Sequence, residues 1–352
     1  MRLSLNGRMP EWAERADRHQ ATAFVDSCLR GVGMVIFLDN PVTGILILVG
    51  LLVASPWLCV ATLVGVASAT LAARLLRLDV RTIRTGAYGY NGALVGAALG
   101  TFLLPVWSLP VFACIVLASA ISPVVMVAVS AVTARLLDLP ALTFPFNFVA
   151  IPSLLATFSI VHIHHSPLLA IHAAQKIETG LRATEGVTPQ ADPGVIVGAI
   201  FRGIGQVFLA DDVVSGILIV AGLFVASRVV ALFAVIGSVA GMLCGLALGG
   251  DGVAVYHGLW GYNSVLSSAA LGGVFLVLRF RTAIYAVACA AATAVLYAAM
   301  VFVGSRFGVP ALTLPFCIAT VVFLLVPWAT TSIRRVPLAE VSTPEERLRI
   351  GS

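Results

Sequence analysis

One unit of sequence occurs twice in this chain, and that duplication limits the possible folds more than any other feature. Residues 30–103 match 202–275 at a constant offset of 172. Arg30-Gly31-Val32-Gly33 answers Arg202-Gly203-Ile204-Gly205, and Gly89-Tyr90-Asn91 answers Gly261-Tyr262-Asn263, followed by Leu94 and Leu266. Further on, Pro140-Ala141-Leu142-Thr143-Phe144-Pro145-Phe146 returns as Pro310-Ala311-Leu312-Thr313-Leu314-Pro315-Phe316, identical at six of seven positions. The offset there is 170, which implies a net loss of two residues in the second copy. Two tandem copies of one unit must either stack or face each other.

Composition decides the solvent. Of 352 residues, 60% are hydrophobic and 11% charged, with a mean hydropathy of +1.04. Apolar runs recur along most of the chain, several long enough to cross a bilayer core of about 30 Å. The class is an all-α polytopic membrane protein with the lipid bilayer as its environment. The formal charge of +5 comes from short basic loops, not a basic face, so no nucleic-acid partner is expected. Residues 1–20 are mixed in charge with no apolar run ahead of them, so we expect the first span, not a cleaved leader, to direct insertion. Six cysteines are scattered singly through apolar segments, as small packing residues would be.

The arginines predict how the two copies lie in the membrane. Arg74, Arg77, Arg81 and Arg84 crowd the second loop of the first copy, and Arg135 lies in its fourth. In the second copy the basic residues move to the alternate loops, with Arg228 in one and Arg279 and Arg281 in another. The counterpart of the arginine-rich loop, residues 249–256, has neither Lys nor Arg. Basic loops stay cytoplasmic, so each copy crosses an odd number of times, and about five spans fit the spacing. The copies are then inverted repeats, which places a pore or binding site at their interface near the midplane. Arg306 falls on the predicted outer side and is the exception. Both termini come out cytoplasmic, in agreement with Arg334 and Arg335 after the last span.

The resulting division is a cytoplasmic segment 1–21, a first repeat 22–161, an extracytoplasmic linker 162–194, a second repeat 195–330 and a cytoplasmic tail 331–352. Within each repeat one apolar stretch is too long for one straight span and too short for two. It reads as a half-inserted helix at 24–38 followed by a span from about 42, repeated at 195–210 and 214–227. Pro145 and Pro315 stand inside apolar surroundings and predict broken helices at membrane depth. Freed backbone groups are tolerated there only inside protein or along a polar path.

Intramembrane ionisable residues mark ion or proton relays, and few are present. Arg30 with Asp39 and Arg202 with Asp211 recur at matched positions and read as structural pairs, with no chain of Asp, Glu or His continuing from them. His162, His164, His165 and His172 lack Cys or carboxylate companions, so no metal site and no cofactor is expected. No hydrolase elbow or zinc-protease pattern occurs, and the chain is not expected to be an enzyme. What recurs instead is neutral: Thr143 and Thr313, Tyr90 and Tyr262, Asn91 and Asn263, Leu94 and Leu266, Val35 and Val207, with Phe37. Hydroxyls and freed carbonyls can replace water around an uncharged hydrogen-bonding solute, each bond contributing about 0.5–1.5 kcal/mol net.

These paired motifs, with Gly89-Tyr90-Asn91-Gly92 and Gly261-Tyr262-Asn263-Ser264, make the chain resemble the urea transporters over roughly residues 22–330. The resemblance implies a homotrimer in a bacterial inner membrane, with one passive urea pore per subunit. It implies a constriction at Leu94, Leu266, Thr143 and Thr313, and an aromatic slot at Phe37, Tyr90 and Tyr262. The position after each Gly-x-Gly falls on Met34 and Gln206, beside Val35 and Val207. Met34 departs from the usual Gln or Glu, tyrosine replaces phenylalanine at 90 and 262, and Leu209 stands opposite Phe37. An ion-coupled carrier, or a pore for another small neutral amide-like solute, is the alternative.

Overall fold

The computed structural model describes residues 5–169, 193–330 and 332–350. Most of the expected linker, residues 170–192 with His172, lies outside the described residues. The described residues are mostly helical, and the helix starts repeat with the sequence. Asn40 caps α3 (Pro41–Ala54) and Asp212 caps α10 (Val213–Ala226), each side chain accepting backbone N–H groups of the first turn. Ser55 caps α4 (Pro56–Leu75) as Ser227 caps α11 (Arg228–Ala247). Asp79 and Asp251 do the same for the short α5 (Val80–Arg84) and α12 (Gly252–Tyr256). Short polar side chains just ahead of apolar runs are the strongest local start signal a sequence offers, since they satisfy otherwise orphaned donors.

Among the described residues, four helices are long and apolar enough to cross a membrane alone: α4, α11, α7 (Leu109–Leu137) and α14 (Phe280–Ser305). The elements expected to be half-inserted are α2 (Gln20–Met34) and α9 (Pro193–Gly205). The bend between α9, with its terminal turn, and α10 is 73°. Phe37 and Leu209 make the turns after α2 and α9 in the left-handed region, at φ 63° and 59°. A short α1 (Pro10–Ala16) precedes α2.

The relation between the repeats is visible where α3 packs along α10. Thr43, near the start of α3, donates its hydroxyl to the carbonyl of Gly222 near the end of α10, at 2.7 Å. Gly50, near the end of α3, faces Ser215 near the start of α10; a Cβ added there would lie 3.1 Å from the Ser215 carbonyl oxygen. Each contact is the other's counterpart under the repeat offset, so the equivalent helices run antiparallel about a pseudo-twofold axis.

At the centre of each repeat lies a wholly enclosed helix. In α6 (Tyr90–Phe102) every residue but Thr101 is buried. Its counterpart α13 (Tyr262–Ser268) continues into π-helical turns over Ala269–Phe275, buried throughout. Tyr90–Phe102 spans 13 residues, whereas Tyr262–Phe275 runs one residue longer before the chain extends at Leu276. The wide turns absorb that insertion, as π bulges do. The constant offset expected through residue 275 therefore slips by one, and Phe275 answers Phe102 rather than Leu103. The strand pairs agree: Leu103 pairs with His165, and Leu276 bridges to Arg335.

The proline pair also differs from expectation. Pro145 and Pro315 do not break a continuing helix. They sit in the first turn of new helices, α8 (Phe144–Thr157) and α15 (Leu314–Leu325), after an irregular stretch. There the missing N–H leaves no bond unmade, because first-turn donors have no partner within the helix. A last short helix, α16 (Pro344–Ile350), closes the chain.

Candidate functional site

The starts of α8 and α15 meet at the pseudo-twofold axis. The hydroxyls of Thr143 and Thr313 are 2.6 Å apart, across 170 residues of chain. Around them the repeats diverge in one respect: Asn147 stands where the second copy has Cys317. Asn147 donates its amide to the Thr313 hydroxyl at 2.9 Å and to the Thr143 carbonyl at 2.8 Å, and accepts the Thr313 N–H at 3.2 Å. The Cys317 sulfur lies 3.2 Å from the Thr143 hydroxyl. All four side chains are buried, and every polar group in the cluster is neutral.

Asparagines on the central helices hold the two helix starts. Asn91 accepts the Phe146 N–H at 3.0 Å, and Asn263 accepts the Phe316 N–H at 3.2 Å. These bonds take the place of a local cap, which Thr143 and Thr313 do not provide. Just before each threonine the backbone turns left-handed, at Leu142 (φ 47°) and Leu312 (φ 45°). The Tyr90 hydroxyl donates to the Leu142 carbonyl, and the Tyr262 hydroxyl to the Leu312 carbonyl. Asn263 adds a second donor to Leu312 at 3.0 Å.

Each residue singled out from sequence can now be placed. Thr143 and Thr313 come into direct contact. Leu94 and Leu266 are fully buried on the central helices, and Val35 and Val207 are buried where α2 and α9 end. Tyr90 and Tyr262 are buried, with their hydroxyls turned to backbone. Phe37 is half-buried and packs against two rings that the sequence did not single out: Phe275 at 5.5 Å and Phe316 at 6.1 Å between centroids. Tyr262 instead meets Tyr297 edge-on at 5.7 Å. Phe316 belonged to the duplicated motif and could have been found; Phe275 reaches its place only through the π turns. Asn147 and Cys317 were hidden by being unlike each other.

The turns after α2 and α9 have matched positions and different chemistry. One has Met34, Phe37, Asp39 and Thr85; the other has Gln206, Leu209, Asp211 and His257. Gln206 donates to the His257 carbonyl at 3.0 Å, and the His257 Nδ1 sits 2.5 Å from Asp211. Arg30 binds Asp26 and Asp39, both at 2.7 Å, and Trp12 donates to Asp26 at 2.8 Å, tying α1 to α2. Among the described residues no group of three or more His, Cys, Asp or Glu could hold a metal ion.

Relatives align along nearly the whole chain. The proteins named Urea transporter 1 from Capra hircus and Ovis aries are each 35% identical to the chain over 354 residues, covering 97% of it and 87% of the relative. That of Mus musculus is 35% identical over 349 residues. The family model described as Urea transporter matches residues 25–327, a stretch that takes in most of α2, all of α9, both central helices and the threonine pair. With the two repeats, the paired helix starts and relatives along nearly its whole length, this chain belongs to the urea transporter family.

Proposed function

We propose that the chain is a passive channel for urea, with its constriction at Thr143, Thr313, Leu94 and Leu266. The observation that carries the reading is the neutral cluster at the pseudo-twofold axis. A carrier driven by ions needs titratable or charged side chains at depth, and the cluster offers hydroxyls, an amide, a thiol and carbonyls. Two helix N-termini also meet there, and their partial positive charge disfavours cations. Urea carries four N–H donors and one carbonyl. Its N–H groups could slip between the two threonine hydroxyls, exchanging one Thr–Thr bond for two bonds to solute. Such an exchange is close to neutral in free energy, since each bond contributes only about 0.5–1.5 kcal/mol, so the solute is admitted without being trapped. Leu94, Leu266, Val35 and Val207 supply apolar walls with no site for an ion, while Phe37, Tyr90 and Tyr262 flatten the passage. The names of the relatives support urea as the solute.

In this reading the copies are separate repeats at 22–161 and 195–330, both termini are cytoplasmic, and three subunits assemble in an inner membrane. Stopped-flow urea uptake into proteoliposomes tests the function. Fast flux, indifferent to Na⁺ or proton gradients and saturating only at high concentration, is expected. Flux no better than empty liposomes, or accumulation driven by an ion gradient, would rule it out. Met34 favours a second comparison, because one mouth lacks the amide that Gln206 gives the other. Methylurea and acetamide should therefore be measured beside urea.

A further inference from the structure

Asn147 and Cys317 stand at equivalent places in the two copies, each four residues after the threonine at the axis. An amide brings two N–H donors and an oxygen, whereas a thiol is a weak donor and a weak acceptor. Which way the Asn147 amide faces is settled by its neighbours. Its nitrogen lies 2.8 Å from the Thr143 carbonyl and 2.9 Å from the Thr313 hydroxyl, which uses both N–H groups. The Cys317 sulfur, 3.8 Å away, is a weaker contact. The amide oxygen accepts the Thr313 N–H at 3.2 Å. Turning the amide over would set its oxygen against the Thr143 carbonyl and its nitrogen against the Thr313 N–H. Asn147 is fully buried, where unmade polar bonds are costly, so one orientation alone satisfies the site.

That orientation gives the threonine pair a direction. The Thr313 oxygen accepts the amide, and its own proton goes to the Thr143 oxygen, 2.6 Å away. Thr143, accepting from Thr313, turns its proton to the Cys317 sulfur at 3.2 Å. The bonds run from Asn147 through Thr313 and Thr143 to Cys317, with a pure donor at the head and a thiol at the tail. A hydroxyl has one proton and two lone pairs. Here both protons are committed, and each threonine oxygen keeps one free lone pair. Without the amide the series has no fixed head, and either hydroxyl can turn its proton outward.

We propose that Asn147 is a positioning residue that sets the selectivity of the constriction by holding Thr143 and Thr313 as a pair of acceptors. This rests on the channel reading above and adds to it the direction of the hydroxyl bonds. A pair of acceptors ranks solutes by their N–H groups. Urea can turn an NH₂ to each threonine, whereas acetamide has one NH₂ and a carbonyl that finds no donor there.

Stopped-flow flux of urea and of acetamide through full-length chains in proteoliposomes tests this, read as the ratio of the two permeabilities. Asn147→Cys gives the first copy the residue that the second already holds beside its threonine. The ratio should fall about two- to tenfold, the effect of one hydrogen bond. Adding Cys317→Asn moves the amide across the axis, reverses the series and should restore the ratio. A role in packing alone would change both fluxes together. An unchanged ratio in Asn147→Cys, or a ratio that stays low in the double variant, would overturn the proposal. The wild-type chain gives a second measurement that needs no variant to fold. Acetamide added beside urea should slow urea flux, and acetone, of the same shape without N–H, should not. Equal slowing by both also overturns it. A wild-type chain without urea flux would sink the channel reading itself.

Discussion

Tyr262 donates its hydroxyl to the Leu312 carbonyl at 2.6 Å, locking the left-handed residue that precedes Thr313. Tyr90 does the same for Leu142. A left-handed residue aims its carbonyl away from any helix ladder, and a buried carbonyl left alone is costly. We expect Tyr90→Phe to lower stability by about 0.5–1.5 kcal/mol, read as a lower melting temperature in detergent, and Tyr262→Phe to cost less, because Asn263 still donates to the Leu312 carbonyl. Flux should stay within about twofold of wild type, because the ring remains. A tenfold loss of flux with unchanged melting would assign the hydroxyls to solute instead.

Thr143→Val and Thr313→Val keep shape and remove the hydroxyl. Losing one solute bond of about 0.5–1.5 kcal/mol slows passage roughly two- to tenfold. The two should not behave alike in stability. Thr313 also accepts the Asn147 amide, so its loss leaves a buried donor short of a partner, whereas Thr143→Val spares that bond. Stopped-flow flux and thermal melting, measured together on both variants, check the pair.

Gly44 and Gly216 allow the turned helices to touch. A Cβ at either would lie 2.0 Å from a backbone oxygen, that of Leu29 or of Phe201. Backbone cannot yield as a side-chain tip can. Gly44→Ala and Gly216→Ala should each abolish recovery of monodisperse protein by size-exclusion chromatography. Gly252→Ala, with open space around it, should leave recovery intact.

His165 gives the loop after α8 a pH dependence. It stacks on Phe158 with centroids 3.9 Å apart, lies 2.9 Å from the Thr157 hydroxyl, and pairs with Leu103. Burial first, and the charge of His164 second, hold its imidazole below the usual 6.5. The unfolded loop therefore takes up a proton more readily than the folded one, and stability rises with pH. The contribution is whole above about pH 6.5 and is lost as pH falls toward the depressed value. Hydrogen exchange at Leu103 and Leu104, corrected for intrinsic rate, should speed up between pH 7.5 and pH 5.5. His165→Phe should remove that change.

The sequence by itself determined the elements and their duplication. Asn40, Ser55 and Asp79 and their partners Asp212, Ser227 and Asp251 start helices by local hydrogen bonds, so their positions could be read without a fold. The helix breaks after α2 and α9 were legible because their apolar runs have an awkward length, and the threonine pair because it is repeated almost letter for letter. Pro145 was misread as a break because proline looks the same whether it ends a helix or begins one; only the neighbouring chain distinguishes them. Tertiary structure alone decided that Asn147 and Cys317 meet across the axis, that one inserted residue in the π turns carries Phe275 to Phe37, and that both chain ends come together over the turn after α2. Such contacts join residues 170 to 338 positions apart. No local pattern encodes them, because only the packing of the whole chain sets which distant surfaces are pressed together.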